Sequence, residues 1–113
     1  MEIITKTLEL SQLKTMAANS FGNLVKAVVD VERELVAVDA ELHSDLEALL
    51  LDNGSKQKDL WGINLYPEMA GEDFVEFDSV INMRPSQNNR SRGVDNAELR
   101  QKIISVVEKR IKR

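Results

Sequence analysis

The densest chemistry in the chain lies in Arg84-Pro85-Ser86-Gln87-Asn88-Asn89-Arg90-Ser91-Arg92-Gly93-Val94-Asp95. From Arg84 to Arg92 stand three guanidiniums, three side-chain amides and two hydroxyls. Forked and amide donors at that density suit phosphate, sulfate or carboxylate groups. Arg84, Asn88, Arg90, Ser91 and Arg92 are therefore candidate ligand-binding residues, with His43 and Asn82 as neighbours. A helix is expected to begin near Asn96, and the free N–H groups of its first turn favour an anion at the same place. Two facts oppose this reading: Asp95 sits at the cap with its own charge, and the arginines can instead pair with acids elsewhere in the chain.

A second constellation is Glu41 and His43. Two apart on a strand, they would share a face, and Asp39 or Asp45 could join them as an acid/base pair or as ligands. A lone histidine lacks the partners a metal needs, so no metal site is assigned, and a solvated or salt-bridged His43 at a strand end is the simpler reading. Glu76 and Asp78 alternate on one expected strand and offer paired carboxylates, the arrangement glycosidases use, although such neighbours often serve solubility alone. No phosphate-binding glycine loop, dinucleotide fingerprint, nucleophile elbow or zincin helix occurs. No cofactor is named by any motif.

Charge is segregated along the chain. Residues 1–83 balance to −10 and residues 84–113 to +6, giving the −4 of the whole. Lys109, Arg110, Lys112 and Arg113 are accounted for by a helix C-terminus, where cations meet the negative end of the dipole. The loop arginines are not. A net acidic chain with 4% aromatic content makes nucleic acid an unlikely partner.

These side chains need a scaffold, and 113 residues with 42% hydrophobic content suffice for one domain over 1–113. With no cysteine, the composition fits a reducing compartment. Met1-Glu2-Ile3-Ile4-Thr5-Lys6 lacks the basic start and apolar run of a signal peptide, and no run approaches the roughly 18 apolar residues of a membrane span. A cytoplasmic protein without a membrane segment is expected.

A short apolar strand is expected at Met1–Thr5, then a helix over residues 10–19 capped by Thr7 or Ser11. Alternation of Val25, Ala27, Val29 and Val31, and again of Val36, Val38, Ala40 and Leu42, predicts paired strands over 25–31 and 36–42. A continuous helix across 24–42 is the competitor, disfavoured by the β-branched alternation. Ser44-Asp45-Leu46-Glu47 has capping-box spacing for a short helix that Asn53-Gly54 closes. Leu60–Tyr66 and Phe74–Arg84 read as two further strands. Asp95-Asn96-Ala97-Glu98 then opens a terminal helix with Leu99, Ile103, Val106, Val107 and Ile111 as its apolar stripe.

The predicted fold is α+β, a two-layer sandwich of order β-α-β-β-α-β-β-α, with an antiparallel or mixed sheet and its helices on one face. The other face would collect Lys26, Asp30, Glu41, His43, Asn64, Tyr66, Glu76, Asp78, Asn82 and Arg84. Short strands also leave edges to protect, so a homodimer is a further expectation.

Leu60-Trp61-Gly62-Ile63-Asn64-Leu65-Tyr66-Pro67 and Phe77-Asp78-Ser79-Val80-Ile81-Asn82-Met83-Arg84-Pro85-Ser86-Gln87-Asn88-Asn89-Arg90-Ser91-Arg92 resemble a family of small bacterial and archaeal proteins classed as a domain of unknown function. Val25–Glu32, Glu41–Asp45 and Asn53-Gly54-Ser55 extend the likeness over nearly the whole length. The resemblance implies a self-contained small domain and carries no catalytic role. Three readings stay open: binding of a phosphorylated or other anionic small ligand at the arginine loop, a metal-assisted or acid/base hydrolase of phosphoesterase type using Glu41 and His43, and a homo-oligomeric partner-binding module.

Overall fold

In the computed structural model, which describes all 113 residues, the chain runs through β1 (Glu2–Ile4), β2 (Leu8–Glu9), α1 (Leu10–Ala18), β3 (Val25–Asp30), β4 (Leu35–Val38), α2 (His43–Asp52), β5 (Leu60–Leu65), β6 (Val75–Glu76), α3 (Ala97–Arg110) and β7 (Ile111–Lys112). Five strands form one antiparallel sheet in the order β1-β4-β3-β5-β6, and β2 and β7 pair parallel in a small second one. The α+β class holds. The two short strands β2 and β7 are additions to the expected order.

The alternation over β3 and β4 does what period-two patterns do. Val29 faces Val36 and Ala27 faces Val38 in antiparallel register, so no helix crosses residues 24–42. The turn between them is built by Asp30, whose carboxylate is completely buried yet fully occupied. Its Oδ1 accepts the N–H groups of Glu32 and Arg33, both at 2.9 Å, and its Oδ2 accepts the Ser55 hydroxyl at 2.6 Å. Arg33 then donates to Ser55 Oγ and Asn53 Oδ1, each at 2.8 Å, which ties the hairpin to the end of α2.

Apolar residues cover both faces of the sheet. On the first, Val25, Ala27, Val29, Val36, Val38, Trp61, Ile63 and Leu65 pack against Leu13 and Ala17 of α1 and Ile103, Val106 and Val107 of α3. On the second, Val28, Leu35, Ala37 and Leu60 pack against Leu46 and Leu50 of α2. The expectation of helices on one face is therefore corrected: α2 lies opposite α1 and α3. Its cause is Val28, Leu35, Ala37 and Leu60, which make the second face of the central strands as apolar as the first. The expected solvated polar face is corrected with it, since Asp30 and Asn82 are fully buried and Asn64 nearly so.

Three local expectations also change. The long strand over 74–84 reduces to β6, because the Ser79 hydroxyl accepts from the Ile81 N–H and turns the chain into a 3-10 segment over Val80–Asn82. The second helix starts at His43, one residue before the supposed Ser44 cap, and α3 is capped by Asn96, whose Oδ1 accepts the Leu99 N–H at 3.0 Å, not by Asp95. Before α1 neither Thr7 nor Ser11 caps; Gln12 Oε1 reaches back to the Glu9 N–H at 3.0 Å. No helix is long and apolar enough to cross a membrane.

Candidate functional site

The arginine loop is organised around the buried side chain of Asn89. Its Nδ2 donates to the carbonyls of Asn82 at 2.7 Å and Gly93 at 2.9 Å, while its Oδ1 accepts the Asp95 N–H at 2.8 Å. Backbone bonds between Arg84 and Asn89, at 2.7 and 3.1 Å, close a tight turn in which Asn88 adopts the left-handed conformation. Asparagine tolerates that region better than most residues. Asp95 locks the far side by accepting the Ser91 hydroxyl at 2.6 Å and the Arg90 N–H at 3.1 Å. Those two bonds, Ser91 first, hold its carboxyl below the usual range.

The three arginines do not converge. Arg84 lies over the Trp61 ring, 4.0 Å from its centroid, and donates to the carbonyls of Gln57 and Leu60. Burial lowers its pKa, with Glu47 nearby acting in the opposite sense. Arg92 forms an ion pair with Asp78 at 2.6 Å. The Arg90 guanidinium makes no hydrogen bond or ion pair within the chain. Ser91 is consumed by Asp95, and Asn82 lies buried beneath the loop. Of the five candidate ligand residues, Asn88 and Arg90 thus keep free side chains.

Glu41 and His43 are also separated. Glu41 is exposed in the connection after β4, whereas His43 is the first residue of α2 and is buried. The imidazole Nε2–H donates to the Ile63 carbonyl at 2.8 Å, and desolvation lowers the pKa, so the ring is neutral at pH 7 with its lone pair on Nδ1. The expectation that Glu41 and His43 share a strand face is corrected by the helix start between them. Glu76 accepts from Asn64 at 2.8 Å and from Tyr66 at 2.9 Å, and Asp78 is paired with Arg92, so the two do not act as a free carboxylate pair.

What the loop does build is a cavity of about 690 Å³ between its own residues 87–89, Trp61 and the start of α3. Its wall carries the amides of Gln87, Asn88, Asn89 and Asn96, the acids Asp95 and Glu98, and one cation, Lys58. Lys58 shares its ammonium with Asp59 at 3.0 Å, which raises its pKa. Asn96 takes the Leu99 N–H and, through its carbonyl, the Arg100 N–H at 3.0 Å, leaving the N–H groups of Ala97 and Glu98 unbonded in the first turn of α3, where Glu98 lines the cavity. Sequence reasoning missed Lys58 and gave Trp61 no part in the site. Trp61 packs in the core at 3% exposure and also lines the cavity. No local pattern announces Lys58, which reaches the site only because the 3-10 turn Gln57–Asp59 precedes β5.

A family model described as "Protein of unknown function (DUF5674)" matches residues 2–110. No curated protein and no solved structure matches the chain.

Proposed function

The chain belongs to that family of unknown function, whose description names no activity, and we propose for it the binding of a small ligand bearing a phosphate or other anionic group. The place is the cavity beside the loop, and the observation that carries the reading is its position: about 690 Å³ of space at the start of α3, within the range of small-molecule sites. Lys58, the Asn88 amide and the free N–H group of Glu98 supply donors in the wall, Trp61 offers an apolar side, and the unpaired Arg90, next to Asn89 in the chain but outside the wall, turns inwards on binding. Asp95 is already occupied, but Glu98 opposes a highly charged group, so a singly charged anion on a larger polar body suits the wall best. The absence of cysteine fits a reducing, cytoplasmic setting for such a ligand.

The test is thermal unfolding with inorganic phosphate, a nucleotide and a sugar phosphate in turn. A ligand that binds only the folded chain raises the melting temperature by mass action. Lys58→Ala and Arg90→Ala should remove that rise, Glu98→Gln should enlarge it, and Arg84→Ala and His43→Ala should leave it in place. No rise across the panel would overturn the reading. The hydrolase reading gains no support from the separated Glu41 and His43. The homodimer rests on the outer edge of β1, which pairs on one side only, and concentration-dependent light scattering decides it.

A further inference from the structure

The helix α2 covers Val28, Leu35, Ala37 and Leu60 but leaves the β5–β6 end of the second face to polar side chains. There Lys26, Asn64 and Glu76 stand in one cross-strand row on β3, β5 and β6. Asn64 is 7% exposed and spends its amide nitrogen on Glu76 Oε1 at 2.8 Å, yet its buried Oδ1 has no donor. An orphaned oxygen of that kind is costly and calls for an explanation. The chain holds a donor directly opposite, Lys26, but directs its ammonium over the Phe21 ring, 5.1 Å from the centroid. Beside the row lie His43, with Nδ1 unbonded, and the Arg92–Asp78 pair, whose Asp78 carbonyl touches the Asn64 amide at 3.4 Å. His43 joins the row through the carbonyl of Ile63, the residue before Asn64, and Arg92 joins it through Asp78.

We propose that this end of the sheet is a second site, distinct from the loop cavity, which binds a small zwitterion of the amino-acid class. An ammonium group donates to Asn64 Oδ1 and to the free oxygen of Glu76, and a carboxylate meets Arg92 and Lys26. Charge balance supports the class: Lys26 and Arg92 offset Glu76 and Asp78, so a ligand carrying both signs leaves the local charge even, whereas phosphate alone does not. The orphaned oxygen requires the N–H donor, and neutral His43 accepts a second one at Nδ1. Asn64 Oδ1 is closed off from solvent, but its neighbours on the sheet, Lys26 across the strand and Tyr66 two residues on, are long and only partly buried.

The experiment is a titration of the labelled chain, followed by the side-chain resonances of Asn64 and His43, with glycine, with trimethylglycine and with acetate. Glycine should shift both saturably. Trimethylglycine, which keeps both charges but no N–H, and acetate, which keeps only the carboxylate, should bind at least tenfold more weakly. Asn64→Leu should abolish the glycine response of His43. If that variant does not fold, Lys26→Ala should weaken the response several-fold in its place. Equal response to all three probes, or no saturable shift with glycine, overturns the proposal. Resonances of Asn88 and Asn96 report the loop cavity separately, so the failure of one site is not read as failure of the other.

Discussion

Asn82 and Gly62 are paired as two strands would be: the Gly62 N–H donates to Asn82 Oδ1 at 2.8 Å and Asn82 Nδ2 donates to the Gly62 carbonyl at 2.9 Å. The amide of a side chain thus replaces the missing neighbour on the part of β5 that β6 does not reach. A second bond from Nδ2 to the Arg92 carbonyl at 3.0 Å fastens the arginine loop to the same point.

Asn82→Leu keeps the bulk and removes all three bonds, stranding buried backbone groups. It should cost about 3 kcal/mol in urea unfolding, at 1–3 kcal/mol per unsatisfied group with partial relaxation. Gly62→Ala should also destabilise, because a Cβ there would stand 2.6 Å from Ser79 Cβ and Oγ. An unchanged urea midpoint in either variant would refute the pairing as a determinant of stability.

Arg84 is a structural residue in this fold, and its loss should be read in stability and not in ligand response. Arg84→Ala removes two carbonyl contacts and the cover of the Trp61 ring, worth about 2 kcal/mol together. The fluorescence of Trp61, the only tryptophan, should shift in the folded variant. Arg84→Lys should recover little, since an ammonium neither stacks flat nor forks to two carbonyls.

His43 makes stability depend on pH. Its folded pKa is lowered, first by desolvation, so the unfolded chain binds the proton more readily and stability is present above the ordinary value near 6.5 and lost as pH falls below it. The melting temperature should drop between pH 7 and 5, and His43→Gln should flatten that slope. A slope of the same steepness in the variant would assign it to other groups.

Glu34 acts in a lower window. It bonds Lys109 at 2.5 Å and Lys102 at 2.9 Å, and these partners, Lys109 first, bring its pKa from 4.5 to about 2. Its contribution is present above pH 4.5 and is lost as pH falls towards 2. The group is partly exposed, so the effect should shrink with added salt. Glu34→Gln should remove this part of the acid limb in urea titrations at pH 2.5 to 5, leaving neutral pH behaviour little changed.

The parts of the fold that were legible in the sequence are those set by local pattern. The β3–β4 hairpin followed from Val25 to Val38, α1 and α3 from their apolar stripes, and β5 from Trp61, Ile63 and Leu65. The rest depended on partners far along the chain. Phe77, Ile81 and Met83 alternate like a strand, but Ser79 and Asn82 take their positions from Gly62, which no periodicity reveals. The opposite placement of α2 was written in Val28, Leu35, Ala37 and Leu60, apolar residues at positions assigned to a polar face. At the candidate site, donor chemistry pointed to a loop whose residues 87–89 line a cavity. The assignment of each arginine did not follow, because Trp61, Asp78 and the carbonyls of Gln57 and Leu60 compete for them only once the chain is folded.

The parallel pairing of Leu8 with Ile111 and Glu9 with Lys112 sets an order in time. Arg110 adds to it by reaching the carbonyls of Thr5 at 2.7 Å and Lys6 at 3.2 Å. A contact spanning about a hundred residues closes a loop whose entropic cost is recovered only when everything between is already packed. During synthesis the Leu8 backbone cannot pair until Ile111 has left the ribosome. The small ribbon therefore forms after the elements between its two strands, and hydrogen exchange should find it among the first to loosen.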